Sequence, residues 1–62
     1  MMTIELKDAN GDNYKLIESS DIDVMKQVAN LLHEYDVRRI EDIDASDSLL
    51  ACKLKQLGCN WE

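Results

Sequence analysis

The stretch that most constrains this chain runs from Asp21 to Tyr35. Its apolar residues are Ile22, Val24, Met25, Val28, Ala29, Leu31, Leu32 and Tyr35. On a helix they fall into two adjoining rows, Val24–Val28–Leu31–Tyr35 and Met25–Val28–Leu32–Tyr35, at the spacing of an amphipathic face. A face that wide needs cover from more than one neighbour. The whole chain has 62 residues, near the lower limit for a domain that folds alone. The helix is therefore expected at the centre of a single two-layer α+β domain spanning residues 1–62. The expected order is an N-terminal β-hairpin, the central helix, a short helical turn and a C-terminal helix.

The flanking segments supply that cover. Met2, Ile4 and Leu6 alternate with Thr3, Glu5 and Lys7, the period of a half-buried strand, and Tyr14 to Ile17 form a second apolar run. A two-residue Asn10-Gly11 turn would set Leu6 against Lys15 and mix the two faces. A three-residue loop, Ala9-Asn10-Gly11, with Gly11 left-handed in a bulge, keeps the faces apart. It sets Leu6 opposite Tyr14, Ile4 opposite Leu16 and Glu5 opposite Lys15. Ser20 with Asp23 suits the start of the central helix, which should run to about Tyr35. Val37, Ile40 and Ile43 fall three apart and predict a helical turn over roughly Arg38 to Ile43. The last helix is expected over Ala45 to Leu57, capped by Asp44 or Ser46, with Leu50, Leu54 and Leu57 as its stripe. Gly58 is expected at its left-handed C′ position, with Cys59 folding back onto Leu54. The core residues expected are Ile4, Leu6, Leu16, Met25, Val28, Leu32, Leu50 and Leu54, with Val24, Leu31, Leu49 and Trp61 near its edge.

Chemistry is scarce in this sequence. Cys52, Cys59 and His33 are the soft metal ligands, fewer than the four a structural zinc site uses and without a close cysteine pair. Positions 52 and 59, both read as small buried hydrophobes, lie roughly 10 Å apart along a helix, too far for a disulfide. A Cys–His nucleophile would need a pocket and an oxyanion hole, and His33 reads as a solvated residue near a helix end. Gly11 and Gly58, the two glycines, have turn and cap roles and make no phosphate loop. The acids at Asp8, Asp12, Glu18 and Asp23 do not follow a calcium-loop spacing. No enzyme activity, cofactor or metal is expected. With no apolar run of membrane-spanning length, no signal-peptide pattern and two cysteines, the reading is a reducing cytoplasm.

Charge is the strongest global signal. Thirteen acidic residues against seven basic ones give a net charge of −6. Such a chain is repelled by nucleic acid and steered toward basic partners. Glu34, Asp36, Glu41, Asp42, Asp44 and Asp47 cluster around the expected junction of two helices, where several carboxylates should project from one rigid corner. None lies on the Val37–Ile40–Ile43 row, so reversing Glu41 and Asp42 to lysine is expected to leave the fold intact. These six acids are the candidate partner-binding residues. Arrays of this kind can imitate spaced phosphates, as small acidic inhibitors from phages and other mobile elements do against host nucleic-acid-binding proteins. The leading expectation is a non-enzymatic, acidic, anti-CRISPR-like nucleic-acid mimic that engages a basic protein. The alternatives are a small structural or oligomerisation module, including a homodimer, and a helix-turn-helix-like regulator. The last is weakened by the two lysines, Lys53 and Lys55, on the would-be recognition helix.

Overall fold

The computed structural model describes residues 1–46 and 48–61 of the chain. Its elements are β1 (Met2–Lys7), β2 (Asn13–Ser19), α1 (Ile22–Glu34), α2 (Ile40–Ser46) and α3 (Ser48–Gln56), an α+β arrangement in the order ββααα. The antiparallel hairpin lies against α1, which also meets α3.

The hairpin loop forms as its residues dictate. Gly11 N–H donates to Asp8 C=O (3.1 Å), Asp8 N–H donates to Asp12 C=O (2.9 Å), and Gly11 has φ +88°. That is a turn closed by a left-handed glycine, with Ala9, Asn10 and Gly11 as its loop. Leu6 faces Tyr14 and Glu5 faces Lys15. Beyond this point the register departs from simple alternation. Ile4 pairs with Ile17, not with Leu16, because a bulge falls between Ile4 and Glu5. Leu16 is the extra residue, and the bulge re-aims the strand so that two consecutive side chains enter the core. Leu16 and Ile17 are both buried. Leu16 C=O then accepts the Asn60 N–H at 2.8 Å, tying the segment after α3 to β2.

Helix α1 starts one residue later than expected. Asp21, in extended conformation, is the N-cap, and its carboxylate accepts from Asp23 N–H (3.0 Å) and Val24 N–H (3.3 Å). Ser19 Oγ accepts from Asp21 N–H at 3.0 Å, so a serine sets the entry but Ser20 does not cap the helix. Met25, Val28 and Leu32 are buried, Val24, Leu31 and Tyr35 half-buried, while Ile22 and Ala29 lie outside the covered face.

Both long helices end in the same way. After α1, Asp36 N–H donates to His33 C=O (3.1 Å) and Val37 N–H to Leu32 C=O (2.8 Å). After α3, Gly58 N–H donates to Lys55 C=O (3.1 Å) and Cys59 N–H to Leu54 C=O (3.0 Å). Each pair is a Schellman motif around a left-handed C′ residue, Asp36 at φ +53° and Gly58 at φ +101°. Val37 and Cys59, which follow, are buried.

Helix α2 occupies more of the chain than a single turn and begins at Ile40 rather than Arg38. Val37, Ile40 and Ile43 are all buried, Ile43 completely, as their spacing required. Asp44 therefore stands inside α2 and is not the cap of α3, and the helix expected from Ala45 begins at Ser48. Asp47, at the junction, lies outside the described residues.

The core differs from expectation at the hairpin. Leu16, Met25, Val28, Leu32, Leu50 and Leu54 are buried as expected, but Ile4 and Leu6 are half-exposed. Ile17, Val37, Ile40, Ile43 and Cys59 complete the core instead. The bulge accounts for Ile17, and the expected Val37–Ile40–Ile43 row for those three. Leu57 and Ala51 flank Leu50 and Leu54 as half-buried neighbours, and Trp61 lies at the edge with the Lys55 ammonium 5.3 Å from its ring centroid.

Two stability measurements follow. Replacing Asp36 by glycine removes the side chain from a left-handed residue and is expected to stabilise the fold by up to about 1 kcal/mol, whereas valine there should destabilise it by about 1–2 kcal/mol. Equal melting of the two variants would contradict the capping assignment. Ile43→Val should lose about 0.5–1.5 kcal/mol and Ile43→Ala about 2–5 kcal/mol, the latter comparable to the total stability of a domain this small. Urea titrations give both values.

Candidate functional site

The acidic corner is built from the start of α2. Its N-cap position holds Arg39, whose side chain has no acceptor to offer the first amides of the helix. Asp42, at the third helical position, reaches back to the two amides that precede the helix. Its Oδ2 accepts from Arg38 N–H and Arg39 N–H, both at 3.0 Å, which is the acidic half of a capping box. The Arg38 amide first, then the Arg39 amide, hold the Asp42 carboxyl below its ordinary value of 3.8.

Glu41 reaches the other way. Its Oε2 accepts the Ala9 N–H of the hairpin loop at 2.7 Å, a contact between residues 32 apart in sequence. Beside it, Lys7 and Arg39 form a parallel β-bridge, so the chain entering α2 runs along the end of β1. The loop itself is held by Asp8, whose Oδ1 accepts from Asn10 N–H (2.9 Å) and Asp12 N–H (2.8 Å). The corner therefore joins Glu41 and Asp42 to the hairpin loop with its Asp8 and Asp12, two residues that the sequence weighs only against a calcium-loop spacing.

The six expected acids do not all share it. Glu34 ends α1 and lines a groove between α1 and α3. Asp36 is the left-handed residue after α1, its carboxylate 3.5 Å from Arg38 Nε, with both side chains 81% exposed. An ion pair that exposed contributes little. The Asp44 side chain and all of Asp47 lie outside the described residues. The premise that Glu41 and Asp42 stand clear of the fold is corrected, and their reversal to lysine is expected to destabilise it. Both carboxylates accept backbone hydrogen bonds, and lysine has no acceptor to replace them. No periodicity could have revealed this, because one bond caps a helix through an uncommon N-cap residue and the other is long-range.

Elsewhere the reactive groups are dispersed. Cys59 is buried, and burial pushes its thiol up to about 11. Cys52 is exposed, which corrects its reading as a buried hydrophobe, and both are free thiols. His33 is exposed on α1. Among the described residues no three potential ligands converge on a metal-binding geometry, and no helix is long and apolar enough to cross a membrane.

Set against known protein families, curated proteins and solved structures, the chain matches none of them.

The Asp42 geometry fixes a pH dependence. A carboxyl lowered on folding stabilises the fold above its unfolded value and loses that contribution as pH falls through its lower folded value. Asp42→Ala should therefore be less stable than wild type by a constant amount near neutrality. The difference should shrink on acidification below about pH 3.8. Chemical denaturation across that range measures it, and a gap that stays constant as pH falls below 3.8 would contradict the assignment.

Proposed function

We propose that this protein acts by binding, without catalysis, and that its acidic corner occupies a basic, nucleic-acid-binding surface of another protein. The class is a small cytoplasmic inhibitor of the kind carried by phages and other mobile elements, working by nucleic-acid mimicry. The observation that carries the reading is the Ala9–Glu41 hydrogen bond at 2.7 Å. It clamps the hairpin loop to the start of α2 and so gathers Asp8, Asp12, Glu41 and Asp42 on one hydrogen-bonded framework. Carboxylates held in place approximate a phosphate array better than carboxylates on a mobile tail, because less side-chain and loop entropy is lost on binding. A chain of net charge −6 adds long-range attraction to a basic partner. The described acidic side chains are exposed or half-buried, and two ion pairs are formed among the described residues, both at the surface. The exposed thiol of Cys52 is in keeping with a reducing compartment. A direct nucleic-acid role is disfavoured, since the exposed side chains of α3 include Lys53 and Lys55 as its two cations.

The test separates charge from folding. Asp12 is exposed, and its side chain accepts no hydrogen bond from another described residue. Immobilised wild-type protein should capture from a host lysate, at low salt, a protein that itself binds duplex DNA. Added duplex should displace it, and binding should weaken steeply as salt rises. The folded Asp12→Lys variant should bind that protein at least tenfold more weakly, about 1.4 kcal/mol. Unaltered affinity in this variant, or a captured partner indifferent to DNA and salt, would reject the mimicry reading.

A further inference from the structure

A second surface has the opposite electrostatic character. Between α1 and α3 runs an open groove of about 340 Å³, with Leu31 and Leu57 among its lining residues. Gln27 and Asn30 line it from α1, and Gln56 from α3, side chains that both donate and accept. Its charged residues are Glu34 on the α1 side and Lys53 on the α3 side, which cancel. Neither has an ion-pair partner among the described residues of its own chain. Leu49, four residues before Lys53 on the same row of α3, is 55% exposed and continues the apolar strip beyond the groove.

We infer that this α1–α3 face is where a second copy of the chain docks, forming a twofold dimer. Two copies carrying −6 each repel one another on approach, so their contact must fall where charge is locally balanced, as it is here. The balance is also of the right symmetry. A twofold axis across the groove sets α1 of one copy against α3 of the other, so that Glu34 meets the partner's Lys53 and Lys53 meets the partner's Glu34. The amide side chains match their own kind under the same operation, because each offers a donor and an acceptor. Contact along this face would cover the exposed Leu49 and the half-buried Leu31 and Leu57, as a small domain with a thin aliphatic core requires of an apolar strip at its surface. A basic partner, which the acidic corner attracts, has no such complement in a charge-neutral groove. The edges of the hairpin are less suited to self-pairing. The bulge, Lys15 and the Asn60–Leu16 hydrogen bond interrupt β2, and Arg39 bridges the end of β1.

Analytical ultracentrifugation of the full chain tests this, with concentration raised from about 1 μM to about 1 mM. The average mass should climb from monomer toward dimer. Glu34→Lys alone and Lys53→Glu alone should each raise the dimer dissociation constant at least tenfold, while an equimolar mixture of the two should form a heterodimer. The single Glu34→Lys variant discriminates sharply, since it reduces the magnitude of the net charge, from −6 to −4. General repulsion would then weaken and tighten any non-specific dimer, whereas the proposed interface predicts a looser one. Both residues are exposed, and circular dichroism checks that each variant is folded. A wild-type chain that stays monomeric throughout would overturn the proposal, leaving the groove without a second copy as occupant. A dimer indifferent to both substitutions, or a mixture that does not pair, would overturn it equally.

Discussion

Two hydrogen bonds of one kind decide where this chain reverses: Val37 N–H to Leu32 C=O at 2.8 Å, and Cys59 N–H to Leu54 C=O at 3.0 Å. Each closes a helix and, in the same step, turns the next apolar residue back into the core. Without the first, Val37 would not be buried, the linker could not run beside Lys7, and Ile40 and Ile43 would not lie over the core. Without the second, the Asn60 amide would not reach Leu16. With no phenylalanine in the sequence, the core cannot be filled by a few large rings. It is filled by aliphatic side chains that backbone turns deliver one at a time. The bulge at Leu16–Ile17 does for the strand what the Schellman motifs do for the helices.

The parts of the fold that were legible in the sequence are those governed by neighbours. Side-chain parity chose the hairpin loop, and Gly11 and Gly58 announced the two left-handed positions that glycine fills. Asp36 was not recognised because aspartate reaches that region less readily. Yet the segments Leu32-His33-Glu34-Tyr35-Asp36-Val37 and Leu54-Lys55-Gln56-Leu57-Gly58-Cys59 place an apolar residue, a left-handed residue and a second apolar residue at matching offsets. The analogy was available in the residues themselves. The adjacent pair Leu16-Ile17 was likewise a visible sign of a bulge, since strict alternation would have put one of them in water. The Ala9–Glu41 contact had no local sign at all, because loop closure over 32 residues depends on where the whole core sends each element.

The candidate site shows why counting acids in a window misleads. Asp8, Asp21 and Asp42 each hold backbone amides at a turn or helix start, and Glu41 holds a distant loop. Their ionised side chains serve the fold first, as acceptors of charge-assisted hydrogen bonds that a protonated or neutral side chain makes less well. An oxygen engaged in this way leaves its carboxylate charge in place, so structural duty does not remove the group from an electrostatic surface. It does change what a substitution reports. At Asp42 a loss of binding would be inseparable from a loss of helix capping, whereas at Asp12 the two are distinct.

The same distinction organises the whole surface. Acidic residues are concentrated in the loops and at helix starts, where unpaired amides favour negative charge, and the final turn of α3 carries Lys53 and Lys55, where unpaired carbonyls favour positive charge. Helix-end electrostatics thus sort the charges by position before any partner is considered. Because α1 ends and α3 passes at the groove, Glu34 and Lys53 are brought to one locally neutral strip on an otherwise acidic molecule. The field of the acidic corner extends over about a Debye length, roughly 8–10 Å at ordinary ionic strength, and loses that reach in salt. At the neutral strip screening relieves the repulsion between whole molecules and at the same time weakens the Glu34–Lys53 pairs of the proposed dimer. Salt dependence therefore distinguishes the two proposed contacts: one that weakens steadily as salt rises, and one in which relief of repulsion and loss of ion pairing offset each other.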